Sequence, residues 1–407
     1  MCVQENHFKV KQIQYKGKGE VCHLGVISFE EKIKYVYIYD LGLKKKSFKE
    51  FYDKYLKDIT KIDRIYLSHF CDDHIRGLNA IKQYDTCAKF KNVEYWLPYI
   101  HEIDKFLPFL FIEEWSEKEY IEFIRNKKRF KWFNDRLDEN SNKTLDSSKN
   151  ICRNIGNIDV ASDSMDNSFD SAHICFKVFK NEIWQLKPYV FKRSKDEEKI
   201  IAKINKNIKT QELLKACDEK QDNEILYKLL RDWKKAIKKY KVFSVKTGDK
   251  NQSNLISASL YSGPKISKDC FRACYCSLSY YNYFNGTKFY YCSPCAWMHT
   301  GDANLKDEAR RNDFNLYYAD ERDYIGVFTL PHHGSMNNSI IDLVPDNVQH
   351  VVITPNSNVT KVINEEELKK IKKVSIHVTE NENFILETNA LAHRNAEVLY
   401  YDPIISK

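Results

Sequence analysis

Apolar and polar residues alternate with a period of two through residues 8–42, in FKVKQIQY, VCHLGVISF and KYVYIYDLG, and the break at KGKGE has the composition of a turn. Side chains of a strand alternate across the sheet, so the pattern predicts three strands of a meander. The period lengthens in KKKSFKEFYDKYLKDI, whose apolar residues recur at helical spacing and predict a surface helix with a solvated lysine face. A short apolar run, Ile62, Ile65, Tyr66 and Leu67, reads as a buried strand. A helix through Ile75, Leu78 and Ile81 follows it, then a strand over VEYWLPYI.

Beyond residue 100 the periodicity weakens. Residues 101–137 are aromatic and read as helical, 139–172 are rich in Ser, Asn and Asp and read as loop or linker, and 195–241 have helical spacing with many charges. Strand-like runs return in NQSNLISASLYSG, AWMHTGD, VFTLPHHG, VVITPN and KKVSIHV, alternating with helical stretches. The chain therefore divides into 1–100, 101–250 and 251–407, with the middle part a helical and linker insertion suited to a lid or to docking a protein partner. Within it, RNKKRFKW at 125–132 is either a solvated helix face or a basic track for a nucleic-acid backbone, with Phe130 and Trp132 stacking on bases.

The 43% apolar share of 407 residues indicates a packed globular protein. The formal charge of +8 permits a polyanionic substrate without requiring one. No apolar run approaches the roughly 18 residues a membrane span needs, and the opening MCVQENHFKVKQ lacks the apolar core of a signal peptide. The expectation is a soluble cytoplasmic protein with no membrane partner. Its 12 cysteines then read as reduced thiols and metal ligands rather than as a disulfide framework.

Two stretches carry candidate chemistry. In SHFCDDHIRG, residues 68–77, the side chains of His69, Cys71, Asp72, Asp73 and His74 crowd the end of a predicted strand. His69 and Cys71 point the same way from an extended segment, and Asp73 and His74 follow where the chain turns into a helix, an arrangement that can serve two adjacent metal ions. The alternative is a helix N-terminus with Asp72 or Asp73 as its cap. In the second stretch, residues 270–295, C-x-C and C-x-x-C flank an aromatic hairpin that turns at Asn285 and Gly286. Cys274, Cys276, Cys292 and Cys295 would close a structural tetrahedral zinc site, with Cys270 as competitor; buried unpaired thiols or a redox pair are the alternatives.

The run from His69 to Gly77 resembles the H-x-H-x-D-H-x-x-G signature of the metallo-β-lactamase fold, with Cys71 where the second histidine belongs. A thiolate there either tilts the site toward zinc over manganese or marks a site that has lost a metal. Gly17, Gly19 and Glu20, then Asp40 and Gly42 in YIYDLG, Asn254 and Ser257, Thr300 to Asp302, and the LPHHGS run ending at Ser335 follow in the order found in the hydrolase domain of bacterial DNA-uptake competence proteins. That resemblance covers residues 8–100 and 250–390. It implies an αββα sandwich interrupted by a largely helical central insertion and a cysteine-rich hairpin.

It also implies a site. His69, Cys71, Asp73, His74, Asp302 and either His332 or His333 would hold one or two zinc ions, with manganese as the other candidate, and Asp302 would bridge. Asp73, His74 and Asp302 would be catalytic; Asp40, Gly77 and Ser335 would support them. A histidine that many relatives place before the T-G-D strand has no evident counterpart, and His299, His173 and His101 are the candidates for it. The implied activity is hydrolysis by a metal-activated water, with a phosphodiester of nucleic acid or a nucleotide as the leading substrate. The alternatives are an amide or other ester, as in a peptidase, and a catalytically weakened scaffold or sensor subunit of a bacterial defence system.

Overall fold

The computed structural model describes residues 6–82, 88–98, 100–107, 109, 116–125, 129–133, 151–154, 172–178, 181–193, 195–219, 221–238, 257–265, 294–357, 359, 361–392 and 400–406. The strands are β1 (Asn6–Gln14), β2 (Cys22–Phe29), β3 (Lys32–Leu41), β4 (Arg64–Tyr66), β5 (Glu94–Pro98), β6 (Phe130–Phe133), β7 (Ile151–Asn154) and β8 (Ile174–Val178). They continue as β9 (Asn181–Val190), β10 (Ala258–Pro264), β11 (Ala296–His299), β12 (Ile325–Thr329), β13 (His350–Ile353), β14 (Ser375–Val378), β15 (Phe384–Ala392) and β16 (Tyr400–Ser406). One sheet has the order β16-β15-β1-β2-β3-β4-β5-β6 and the other β14-β13-β12-β11-β10-β9-β8-β7. With their helices, the two packed sheets form the αββα sandwich that the sequence resemblance implied.

Each sheet is part antiparallel and part parallel. In the antiparallel meander β1-β2-β3 the predicted alternation is realised: Phe8, Val10, Gln12 and Gln14 of β1 are buried, while Lys9 and Lys11 reach Glu387 of β15 on the other face at 2.8 Å each. The parallel strands β3-β4-β5-β6 and β11-β12-β13-β14 are connected by crossovers, and β4 and β12 are buried on both faces. Loops that leave the carboxyl ends of parallel strands gather on one edge, where open α/β sheets place ligands. Here those strands are β3, β4, β11, β12 and β13.

The segment 101–250 contributes more than helices. β6 extends the first sheet and β7, β8 and β9 extend the second, so residues 130–133, 151–154, 174–178 and 181–190, expected within a helical and linker insertion, are sheet. Its helices Lys195–Asn205, Ile208–Asp218 and Asn223–Lys238 bury Ile201, Ile204, Leu213, Leu226, Leu230, Trp233 and Ile237. The spacing of the last four puts them on one helix face. Two buried ion pairs brace this part: Arg193 with Asp104 within it, and Glu197 with Arg310 beyond it.

Candidate metal centre

Asp40 is the anchor of the site. It lies near the end of β3 with φ at 57°, in the left-handed region that side chains with a Cβ rarely adopt. That turn aims its carboxylate across to the segment after β4. Oδ1 accepts from the Ser68 backbone N–H at 2.7 Å, and Oδ2 accepts from the Ser68 hydroxyl at 2.8 Å and from His74 Nδ1 at 2.7 Å. Because the Ser68 hydroxyl donates to Asp40, it accepts from His69 Nδ1, 2.9 Å away. One carboxylate thereby fixes the tautomers of two imidazoles and turns both Nε2 atoms inward.

Asp302 receives them. Its loop leaves β11 through Thr300 and Gly301, and Gly301 has φ 55° with a Cβ position only 2.8 Å from the Ala258 carbonyl, so glycine is required there. Asp302 Oδ1 lies 3.2 Å from His74 Nε2 and Oδ2 lies 3.5 Å from His69 Nε2. Both nitrogens are buried.

The turn after β12 supplies the rest. His332 and His333 both have left-handed φ, 49° and 58°, and their rings stand at 83° to one another. His333 Nδ1–H donates to the Thr354 carbonyl at 2.7 Å, leaving Nε2 2.8 Å from Asp73 Oδ2. Asn356, on the loop after β13, donates to the same Asp73 oxygen at 2.8 Å. His332 Nδ1 lies 3.8 Å from Asp302 Oδ2. Ser335 closes the turn by donating its backbone N–H to the His332 carbonyl.

Two sets of donor atoms converge within 4.8 Å: His69, His74 and Asp302, and Asp73, His74 and His333. The electrostatics follow from crowding. Burial and the neighbouring His74 push His69 down to about 3, so its imidazole is neutral. For His74, burial lowers the pKa, but Asp40, Asp302 and Asp73 together raise it well above the usual histidine value. Burial raises Asp302 and Asp73, yet the surrounding histidines hold both carboxyls below the ordinary range.

The arrangement fits a divalent ion. His69, His74 and His333 each commit Nδ1–H to an oxygen and present the other nitrogen to a carboxylate. A lone pair facing an anion in a buried site is unfavourable unless a proton or a cation lies between them. Ligand atoms on one tetrahedral zinc stand about 3.4 Å apart, and the contacts of Asp302 with His74 and His69, 3.2 and 3.5 Å, have that spacing.

No protein-family model matches the chain, and no curated protein matches it. Among solved structures it is similar to a long-form RNase Z from yeast, at a TM-score of 0.40 and 9% identity, over 98% of this chain and 49% of that one. The chain spans about half the length of that protein.

The other expected residues lie as follows. Cys71 caps the short helix Asp72–Ile75 and stands outside both donor sets; burial, then the charges of Asp73 and Asp302, push its thiol well up. Gly77 packs against Leu41, where an added Cβ would meet the Leu41 carbonyl at 2.7 Å. None of the three histidines named for the absent ligand reaches the site. His299 is buried between the sheets with its ring 4.0 Å from that of His23, His173 bonds Gln185, and His101 pairs with Glu198. Of the proposed structural site, Cys274, Cys276 and Cys292 fall outside the described residues, and Cys295 is buried just before β11.

Sequence reasoning gave no role to Ser68, Thr354 or Asn356. Ser68 and Asn356 had a signal in retrospect: each is polar and follows an apolar strand at its carboxyl end.

Proposed function

We propose that the chain is a metal-dependent hydrolase of the metallo-β-lactamase superfamily, acting on a phosphodiester in nucleic acid or a nucleotide. The observation that carries the reading is the set of three imidazoles whose Nδ1 atoms are tied back and whose Nε2 atoms face the Asp302 and Asp73 carboxylates. His69 and Asp302 would hold one ion, with Cys71 close enough to Asp73 and Asp302 to feel their charge. Asp73, His74, His333 and Asp302 would hold a second. Zinc suits imidazole and carboxylate donors, and manganese is the other candidate.

A divalent ion supplies a Lewis acid and water of lowered pKa. The chain's own groups do the rest. Asp40, Ser68 and Thr354 hold the imidazoles in the required tautomer. Asn356 and His333 fix the Asp73 carboxylate. The phosphodiester preference rests on the motif resemblance, on the positive overall charge, and on Arg76 and Lys306, which follow Asp73 and His74 and Asp302 along the same loops.

The test is hydrolysis of single- and double-stranded DNA, RNA and a chromogenic bis-aryl phosphodiester by zinc- or manganese-loaded protein, beside amide and carboxylic ester substrates. Phosphodiester cleavage should be lost with chelator, regained on adding the metal, and reduced by more than about 1,000-fold in Asp302→Ala. Cleavage of the amide or ester alone, or phosphodiester cleavage that survives Asp302→Ala, would overturn it.

A further inference from the structure

The ion on the His69 side is poorly held by His69 and Asp302 alone, since His299, His173 and His101 are all elsewhere. We propose that His332 fills that place, so that the two consecutive histidines serve different ions: His332 joins His69 and Asp302 through Nδ1, and His333 joins His74 and Asp73 through Nε2. The proposal rests on the metal-centre reading and assigns one ligand within it.

Three observations carry it. First, the Asp302 carboxylate sorts the histidines by oxygen. Oδ1 faces His74 at 3.2 Å, whereas Oδ2 faces both His69 at 3.5 Å and His332 at 3.8 Å. A separation of 3.8 Å is too long for a hydrogen bond, yet it is near the spacing of two donors on one ion. Secondly, His332 is 30% exposed, but its Nδ1 atom is buried and has no hydrogen-bond partner among the described residues. An inward nitrogen beside a carboxylate, with no donor or acceptor to satisfy it, is a ligand position awaiting a cation.

Thirdly, the backbone holds the pair apart under strain. Left-handed φ is disfavoured at each of two successive non-glycine residues. Its effect is to set the two rings nearly perpendicular with centroids 5.9 Å apart, one over Asp302 and one over Asp73. The His332 N–H donates to the Gly301 carbonyl at 3.0 Å, which ties this strained residue to the loop that carries Asp302. If only one histidine were needed, an ordinary turn with one ring inward would suffice.

The experiment counts ions. Metal-free protein is titrated with zinc, and bound ions are measured by elemental mass spectrometry and by competition with a chromophoric chelator. The variants are His69→Ala, His332→Gly, His333→Gly, Asp302→Ala, and the pairs His69→Ala/His332→Gly and His332→Gly/His333→Gly. Glycine is used in the turn because it accepts the left-handed backbone without strain. Relative to Asp302→Ala, wild type should hold two further ions.

His332→Gly should lose one of these or bind it more than about 100-fold more weakly. The pair with His69→Ala should lose no more than either single change. The pair with His333→Gly should lose both. Full retention by His332→Gly, or a loss that adds to that of His69→Ala, would overturn the proposal and leave the metal centre standing. Equal metal in wild type and Asp302→Ala would instead sink the centre itself. Should His332→Gly misfold by circular dichroism, wild type loaded with NMR-active cadmium decides: the His332 and His69 ring signals must couple to one cadmium resonance, and coupling of His332 to none overturns the assignment.

Discussion

Gly42→Ala should disable the site without touching a donor. A Cβ on Gly42 would stand 1.5 Å from the Asp73 carbonyl oxygen, 2.2 Å from its carbon and 2.9 Å from the His74 nitrogen. Real Cβ contacts do not fall below 3.0 Å, so one of the two backbone segments must move by at least about 1.5 Å. That motion also strains a node in which Gly42 N–H donates to the Val21 carbonyl at 2.7 Å and Val21 N–H donates to the Asp73 carbonyl at 3.0 Å. Overpacking and a lost backbone bond together should cost about 2–4 kcal/mol of stability. The functional cost is larger, because a misplacement of about 1 Å in a catalytic constellation can cost about 100-fold. Zinc titration should show the ion on the Asp73 and His74 side weakened by about that factor or more. Gly19→Ala is the control: its Cβ meets nothing closer than the Asn356 side chain at 3.7 Å, and with φ at 64° it should lose about 1 kcal/mol of stability but keep its metal. A folded Gly42→Ala protein that binds zinc like wild type would refute the reasoning.

Acid should destabilise the metal-free protein partly through two histidines between the sheets. Burial holds His299 down at about 3 and His23 well below its usual value, so each binds fewer protons folded than unfolded. Their contribution is complete above the unfolded pKa, near 6.5, and is lost as pH falls below it, with a slope of about 1.4 kcal/mol per pH unit for each histidine. His299→Phe should reduce the fall between pH 7 and 5 measured by denaturant unfolding, and an unchanged slope would count against this account. Arg193→Met should cost about 3–5 kcal/mol by stranding the buried Asp104 carboxylate, and Arg193→Met/Asp104→Asn should recover much of it while keeping an acceptor for the Ile100 and His101 N–H groups. Equal melting temperatures for single and double variants would show that the charge was not the cause.

The meander through β3 and the order of the loop motifs could be read from the sequence because both are local. Period-two alternation fixed the faces of β1, and the cluster at 69–74 announced itself by chemistry that rarely crowds together without a metal. β9 escaped for a physical reason: IWQLKPYV is buried along nearly all its length, so it lacks alternation, and it contains Pro188, which argues against a central strand. Yet β9 lies between β8 and β10. The division of labour between His332 and His333 is also invisible in sequence, since it depends on two left-handed residues and on partners 30 and 260 positions away. His299 was more legible than its place on the candidate list suggests. It shares a strand face with Trp297, against which it stacks, and a tryptophan on that face points to the core.

The pairing of β1 with β15 sets a problem of timing for the growing chain. β1 ends at Gln14 and its neighbour β15 begins at Phe384. At synthesis rates of about 5–20 residues per second, that edge waits roughly 20–75 s for its partner. An open edge strand invites pairing with other chains, and lysines on it discourage that. Lys9 and Lys11 stand on β1, and Glu387 reaches both once β15 docks. The same two charges that guard the edge during synthesis become its latch when the sheet closes.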